Sequence, residues 1–170
     1  MKKVMNVIAV MFTAAIFTAP ALAGQAEIEW VKPDKFTDIK QANESRSNFQ
    51  KRVFKEFDQH FMALAAKLPN GQTLKVSVTN LDLAGDVRYM VGPNNATIRI
   101  VDDLYFPKMK FDYQLLAADN SVISSNKVDI KDMAFNFGIR RSTSSNAFHY
   151  EKNMIDDWFY DTFPTTKDKK

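Results

Sequence analysis

The chain has 170 residues, 45% of them hydrophobic and 25% charged, and a formal net charge of +3. That composition excludes a collagen, a long coiled coil and wholesale disorder. With no cysteine there is no disulfide, thiolate metal site, thiol nucleophile or lipidated N-terminal cysteine, and two histidines leave little for a zinc site or a Ser/His/Asp triad.

Residues 1–23 read as a cleaved secretory signal. Lys2 and Lys3 supply a positive start. Residues 4–18 form an apolar run interrupted by Asn6 and Thr13, and Pro20 precedes the small-residue cleavage pattern Ala21-Leu22-Ala23. The run is shorter than the ~20 apolar residues of a spanning helix. The expectation is export to the periplasm and a mature chain starting at Gly24. Lys2 and Lys3 leave with the signal and no acid does, so the formal charge falls by two from +3 to +1. No second run is long enough to span a bilayer, so no membrane span is expected after cleavage. No basic run with interleaved aromatics follows, so nucleic acid is not an expected partner.

Residues 27–31 predict a short strand ended by Pro33, with Ile28 and Trp30 on one face. Residues 45–68 predict the principal helix. Phe49, Val53, Phe57, Phe61, Leu64 and Leu68 recur at steps of three and four, which makes one core-facing stripe. Asn43, Ser45 and Ser47 are candidate caps, and Pro69-Asn70-Gly71 stops the helix. Leu74, Val76 and Val78 alternate with polar residues as a strand. The apolar phase then slips around Asn80, which predicts a bulge or a change of face. Residues 85–95 read mostly as loop, and Ile98 and Ile100 as a short strand.

Met109, Phe111, Tyr113 and Leu115 alternate with Lys110, Asp112 and Gln114. After the turn at 118–121, residues 122–130 return as a partner strand. Residues 133–139 alternate again and predict a strand continuation or a packed extended segment. Residues 140–146 read as loop, and 147–163 as a second helix stopped by Pro164. The expected fold is one α+β domain over residues 24–163. It has two layers: a mainly antiparallel sheet of about five strands, with both amphipathic helices packed on it. The alternative is an open sheet with helices on opposite faces. Residues 164–170 read as a disordered tail.

Three segments carry a family resemblance: Leu68-Pro69-Asn70-Gly71-Gln72, the strand ending Asn80-Leu81-Asp82-Leu83-Ala84-Gly85, and Tyr150-Glu151-Lys152 followed by Asp156-Asp157-Trp158-Phe159. Together they resemble the domain-of-unknown-function 3016 family of proteobacterial exported proteins, from about Ile28 to Phe163. One departure is Asn80, where the family pattern carries an acidic residue. The resemblance implies an exported envelope protein and transfers no catalytic residue.

His60 and His149 are too far apart in sequence to suggest a metal site. Asp102-Asp103 and Asp156-Asp157 lack the spacing of a calcium loop and read as a strand-end turn and a solvated helix face. There is no phosphate-binding glycine loop and no G-x-S-x-G elbow. Ser142, Ser144 and Ser145 are expected to cap the last helix. The phenylalanines, 14 in all, sit mostly at core spacing, although a cavity for an apolar ligand is the alternative use. No catalytic residue, metal or cofactor is therefore expected.

One residue departs from this pattern. In the last helix Glu151 falls inside the apolar face formed by Tyr150, Met154, Ile155, Trp158 and Phe159. A buried carboxylate needs protonation or a cationic partner. Arg140 and Arg141, one short loop upstream, are the expected partners. Alternatively the helix begins late and Glu151 lies in its first turn, close to free backbone N–H groups.

The functional expectation is a soluble periplasmic protein with a non-catalytic binding or support role at the envelope. Its partner would be another envelope protein. Carriage of a small apolar ligand is the alternative, and a carboxylate-using enzyme built on Glu151 a further one.

Overall fold

The computed structural model describes residues 23–137 and 147–164. The signal-like segment through Leu22, the 138–146 loop with Arg140 and Arg141, and the tail from Thr165 therefore lie outside the described residues.

The chain order is β1 (Gln25–Trp30), α1 (Arg46–Ala65), β2 (Thr73–Asp82), β3 (Asp86–Arg88), β4 (Ile98–Ile100), β5 (Lys108–Leu116), β6 (Val122–Lys131) and α2 (His149–Thr162). Four strands form one sheet in the order β1-β2-β5-β6, and β3 and β4 form a separate two-stranded ribbon. β1 runs parallel to β2, with α1 as the crossover between them, and the other pairings are antiparallel. The result is the expected α+β class.

α1 forms where the apolar stripe predicts it. Ser45 caps it by accepting from the Asn48 N–H, and Phe49, Val53, Phe57, Phe61 and Leu64 are buried. The phase slip near Asn80 is a register shift between Val78 and Asn80 against β5. It turns the Asn80 amide toward Thr37: Nδ2 donates to the Thr37 hydroxyl, and Oδ1 accepts from the Thr37 N–H. An acid at this position would keep the acceptor and lose the donor.

Both helices pack on one face of the sheet. Phe111 of β5 meets Phe61 of α1 at 6.0 Å and Trp158 of α2 at 4.7 Å between ring centroids. The outer face carries Lys75, Lys110 and Lys127, paired with Glu27, Asp129 and Asp112. α1 and α2 run parallel, because Glu56 meets Lys152, His60 meets Asp156 and Lys67 meets Tyr160 in the same order along each.

Three local expectations change. The 85–95 loop contains β3, which is short enough to be hidden among Gly85, Gly92, Pro93, Asn94 and Asn95. Residues 133–136 are turns rather than a strand, although Phe135 is buried and meets Tyr150 edge to face at 4.8 Å. α2 starts at His149 rather than at 147, with Phe148 as its N-cap in the left-handed region and no side-chain cap bond from that residue; Ser142, Ser144 and Ser145, the expected caps, lie outside the described residues.

A candidate site at the β3–β4 ribbon and the start of α2

At the end of β2 the chain turns through Leu83-Ala84-Gly85 into β3. Gly85 has φ +80°, and a Cβ there would lie 2.4 Å from the Ile100 carbonyl oxygen, so the close approach of β3 to β4 requires glycine. Its N–H donates to the Tyr105 carbonyl.

Arg99, in the middle of β4, reaches across this turn. Its Nη1 donates to Asp38 Oδ2 at 2.9 Å, to the Gly85 carbonyl at 2.9 Å and to the Ala84 carbonyl at 3.3 Å. Its Nη2 donates to the Lys40 carbonyl at 3.0 Å. Asp38 is buried, exchanges main-chain hydrogen bonds with Leu81 and Leu83, and accepts from the Lys40 N–H. One guanidinium thus ties the 38–40 connection to the turn that opens the ribbon.

Glu151 completes the knot from the other side. It is 2% exposed, as its place on the apolar face predicts, and it also lies in the first turn of α2. Its Oε1 accepts from the Ala84 N–H at 2.7 Å. Burial pushes its carboxyl pKa up. The Ala84 N–H, its own backbone N–H and the charges of Arg99 and Lys152 act in the opposite direction. Arg140 and Arg141, the expected partners, lie outside the described residues. Among the described residues the cations acting on Glu151 are Arg99 and Lys152, and its direct contact is a main-chain donor.

Two clefts flank the knot. The smaller, about 210 Å³, is lined by Arg52, Arg99, Val101, Phe148, Tyr150 and Glu151, among others. The larger, about 430 Å³, includes Lys40, Glu44 and Phe49 and shares Arg52, Arg99 and Phe148 with the first. Arg52 lies over the Phe49 and Phe148 rings at 5.1 and 5.5 Å and pairs with Glu44. Both arginines are therefore already engaged.

The ribbon pinned in this way carries a run of exposed apolar residues: Tyr89 is 67%, Met90 76% and Val91 57% exposed, with Leu104 nearby in the chain beyond β4 at 74%. The Asn136 amide donates to Asp103, which brings the exposed Phe137 to the same end of the molecule.

The remaining candidates serve local structure. His60 Nε2 lies 2.8 Å from Asp156, and the Asp102 carboxylate accepts from the Leu104 N–H. Among the described residues no group of three or more His, Asp or Glu side chains is placed to hold a metal ion. No described helix is long and apolar enough to cross a membrane.

Arg99 and Asp38 are the residues that sequence reasoning missed. Arg99 alternates with Ile98 and Ile100 and so reads as the solvent side of a strand, and its partners are more than a dozen residues away. The available signal was an arginine in a strand too short to hold its place unaided. A model of a family of proteins of unknown function (DUF3016) matches residues 24–161. No curated protein and no solved structure matches the chain.

Proposed function

The chain belongs to the DUF3016 family, and from that premise we propose that it is a soluble periplasmic protein with a non-catalytic binding or support role at the cell envelope, making its contact through the β3–β4 ribbon. The observation that carries this reading is the tip of the ribbon. Tyr89, Met90 and Val91 are consecutive, apolar and exposed, on a ribbon held by a buried polar knot. Aromatic and methionine side chains presented on a fixed base are what a protein partner buries at the centre of an interface.

The chemistry of the knot supports a scaffold role over a catalytic one. The Glu151 carboxyl is shut from solvent against the Ala84 N–H, and Arg99 is spent on four acceptors. Export is supported by the signal-like segment at residues 1–23; the next residue, Gly24, packs against the end of α1. This residue is buried, and a Cβ there would fall 2.2 Å from the Ala65 carbonyl oxygen. Gly24 is the residue that cleavage after Ala23 would leave first.

Two measurements test the reading. Intact mass of the periplasmic fraction should give a chain starting at Gly24. A benzophenone amino acid in place of Tyr89 should yield a discrete crosslinked product in cells, weakened by Met90→Lys. The same probe in place of Lys110, on the outer sheet face, should yield none. Retention in the cytoplasm overturns the localisation, and equal labelling from both positions overturns the interface.

A further inference from the structure

β6 is an edge of the main sheet: β5 lies on one side of it, and among the described residues no strand lies on the other. The Lys127 N–H donates to the Asn126 side chain, whereas the Asp132 N–H donates to the Pro107 carbonyl on the β5 side. Along an antiparallel strand the main-chain groups of successive residues face opposite edges. The even-numbered residues therefore bond β5, and Ser125, Lys127, Asp129 and Lys131 turn their N–H and C=O groups outward.

An open edge of this length invites pairing with another chain, and charge on the edge is one way proteins prevent it. The two edges of this sheet differ in that respect. β1 carries acids alone on its outer face, Glu27 and Glu29, so a second copy laid against it meets like charge. β6 alternates in sign through Lys127, Asp129 and Lys131, all exposed. Lys127 and Asp129 already pair across the sheet with Asp112 at 3.9 Å and Lys110 at 2.8 Å.

This alternation makes β6 complementary to itself in one antiparallel register. A two-fold axis through Val128 sets Lys127 opposite the partner's Asp129, and Asp129 opposite the partner's Lys127. These residues turn their main-chain groups outward, so each pair exchanges both of its hydrogen bonds. The outer face then reads Asp112, Lys127, the partner's Asp129 and the partner's Lys110, alternating in sign across the junction. On the inner face Val128, packed at the margin of the core, meets its own copy. An axis through Lys127 or Asp129 sets like charges opposite each other. An axis through Asn126 or Ile130 leaves Lys127 facing Ser125 or Met133, with no acid.

We propose that β6 is a homodimerisation edge, at which two copies of this chain pair antiparallel about Val128 and join their four-stranded sheets into one. A single strand pair buries little area, so the dimer is weak and depends on concentration. The contact is separate from the ribbon, and either can fail without the other.

Sedimentation equilibrium of the purified protein, from micromolar to about millimolar, tests the pairing. The unmodified protein should pass from monomer to dimer. Lys127→Glu and Asp129→Lys each set like charges across the axis, so each alone should dimerise at least about tenfold more weakly, with an unchanged thermal melt. An equimolar mixture of the two variants restores opposite charges in every pair and should dimerise within about threefold of the unmodified protein. Hydrogen exchange at Ser125, Lys127, Asp129 and Lys131 should slow as the unmodified protein dimerises. A monomer at every concentration, dimerisation indifferent to the single variants, a mixture that stays monomeric, or dimerisation without that slowing would each overturn the proposal. Species larger than a dimer, as pairing of β6 with β1 would give, would overturn it as well.

Discussion

The body of β2 and the ribbon beyond its C-terminal end are held by different physics. The middle of β2 and the helices above it are packed by apolar side chains, with Val53, Phe57, Phe61 and Ile155 at 0% exposure. The ribbon beyond its C-terminal end has two strands of three residues and is held by Arg99, Asp38 and Glu151. Close packing is indifferent to which apolar group fills a space of the right shape, whereas a polar knot fails when one donor is lost. A core of the first kind supports a domain. A knot of the second kind fixes one small element in one orientation, which is what the display of Tyr89, Met90 and Val91 requires.

The largest effect should come from breaking the first region. Phe57→Ala removes a wholly buried ring that meets Trp30 and Phe148, and should cost about 3–5 kcal/mol. Lys55→Ala, on the exposed side of the same helix, should stay within about 0.5 kcal/mol. Denaturant melts compare the two, and similar losses would show that α1 does not pack through this stripe.

The second region should break more locally. Arg99→Ala leaves the Asp38 carboxylate and three carbonyls short of a donor, and should cost about 3 kcal/mol. Asp38→Ala added to it should cost less than the sum of the two single changes. Hydrogen exchange sharpens the contrast: amides of β3 and β4 should lose protection in Arg99→Ala while those of α1 keep theirs. A uniform loss across the chain would make the knot part of the core.

The same contrast explains what could be read in advance. Periodicity reports burial, so the stripe from Phe49 to Leu68, the alternation around Phe111 and the burial of Glu151 were all legible. The slip at Asn80 was legible because it breaks that periodicity. β3 was not, because three residues make too little alternation to stand out. The Arg99–Asp38 pair was not, because a hydrogen bond between residues 61 apart leaves no local pattern. α2 starts two residues later than its apolar pattern suggests, because a left-handed Phe148 at the N-cap has no signature in the sequence. For Glu151 the burial was legible and the donor was not, since a main-chain N–H has no side-chain signature.

The finest test separates the two roles of Glu151, filler of an apolar face and acceptor for Ala84. Glu151→Leu keeps the first role and leaves the Ala84 N–H unpaired, so it should cost about 1–3 kcal/mol. Glu151→Gln retains an oxygen for that N–H and removes a charge that burial disfavours, so near neutral pH it should change stability by less than about 1 kcal/mol. The pH dependence then identifies the cause. Because burial raises the carboxyl pKa in the folded protein, the fold holds this proton more tightly than the unfolded chain does. The contribution of Glu151 is therefore fully present below the ordinary carboxyl range and is lost as pH rises through the folded value. Melts of the unmodified protein and of Glu151→Gln, from about pH 4 to about pH 8, should show the unmodified protein losing ground to the variant as pH rises. Parallel curves would mean that the folded and unfolded chains bind this proton equally, and that the Ala84 N–H, Arg99 and Lys152 together cancel the cost of burial.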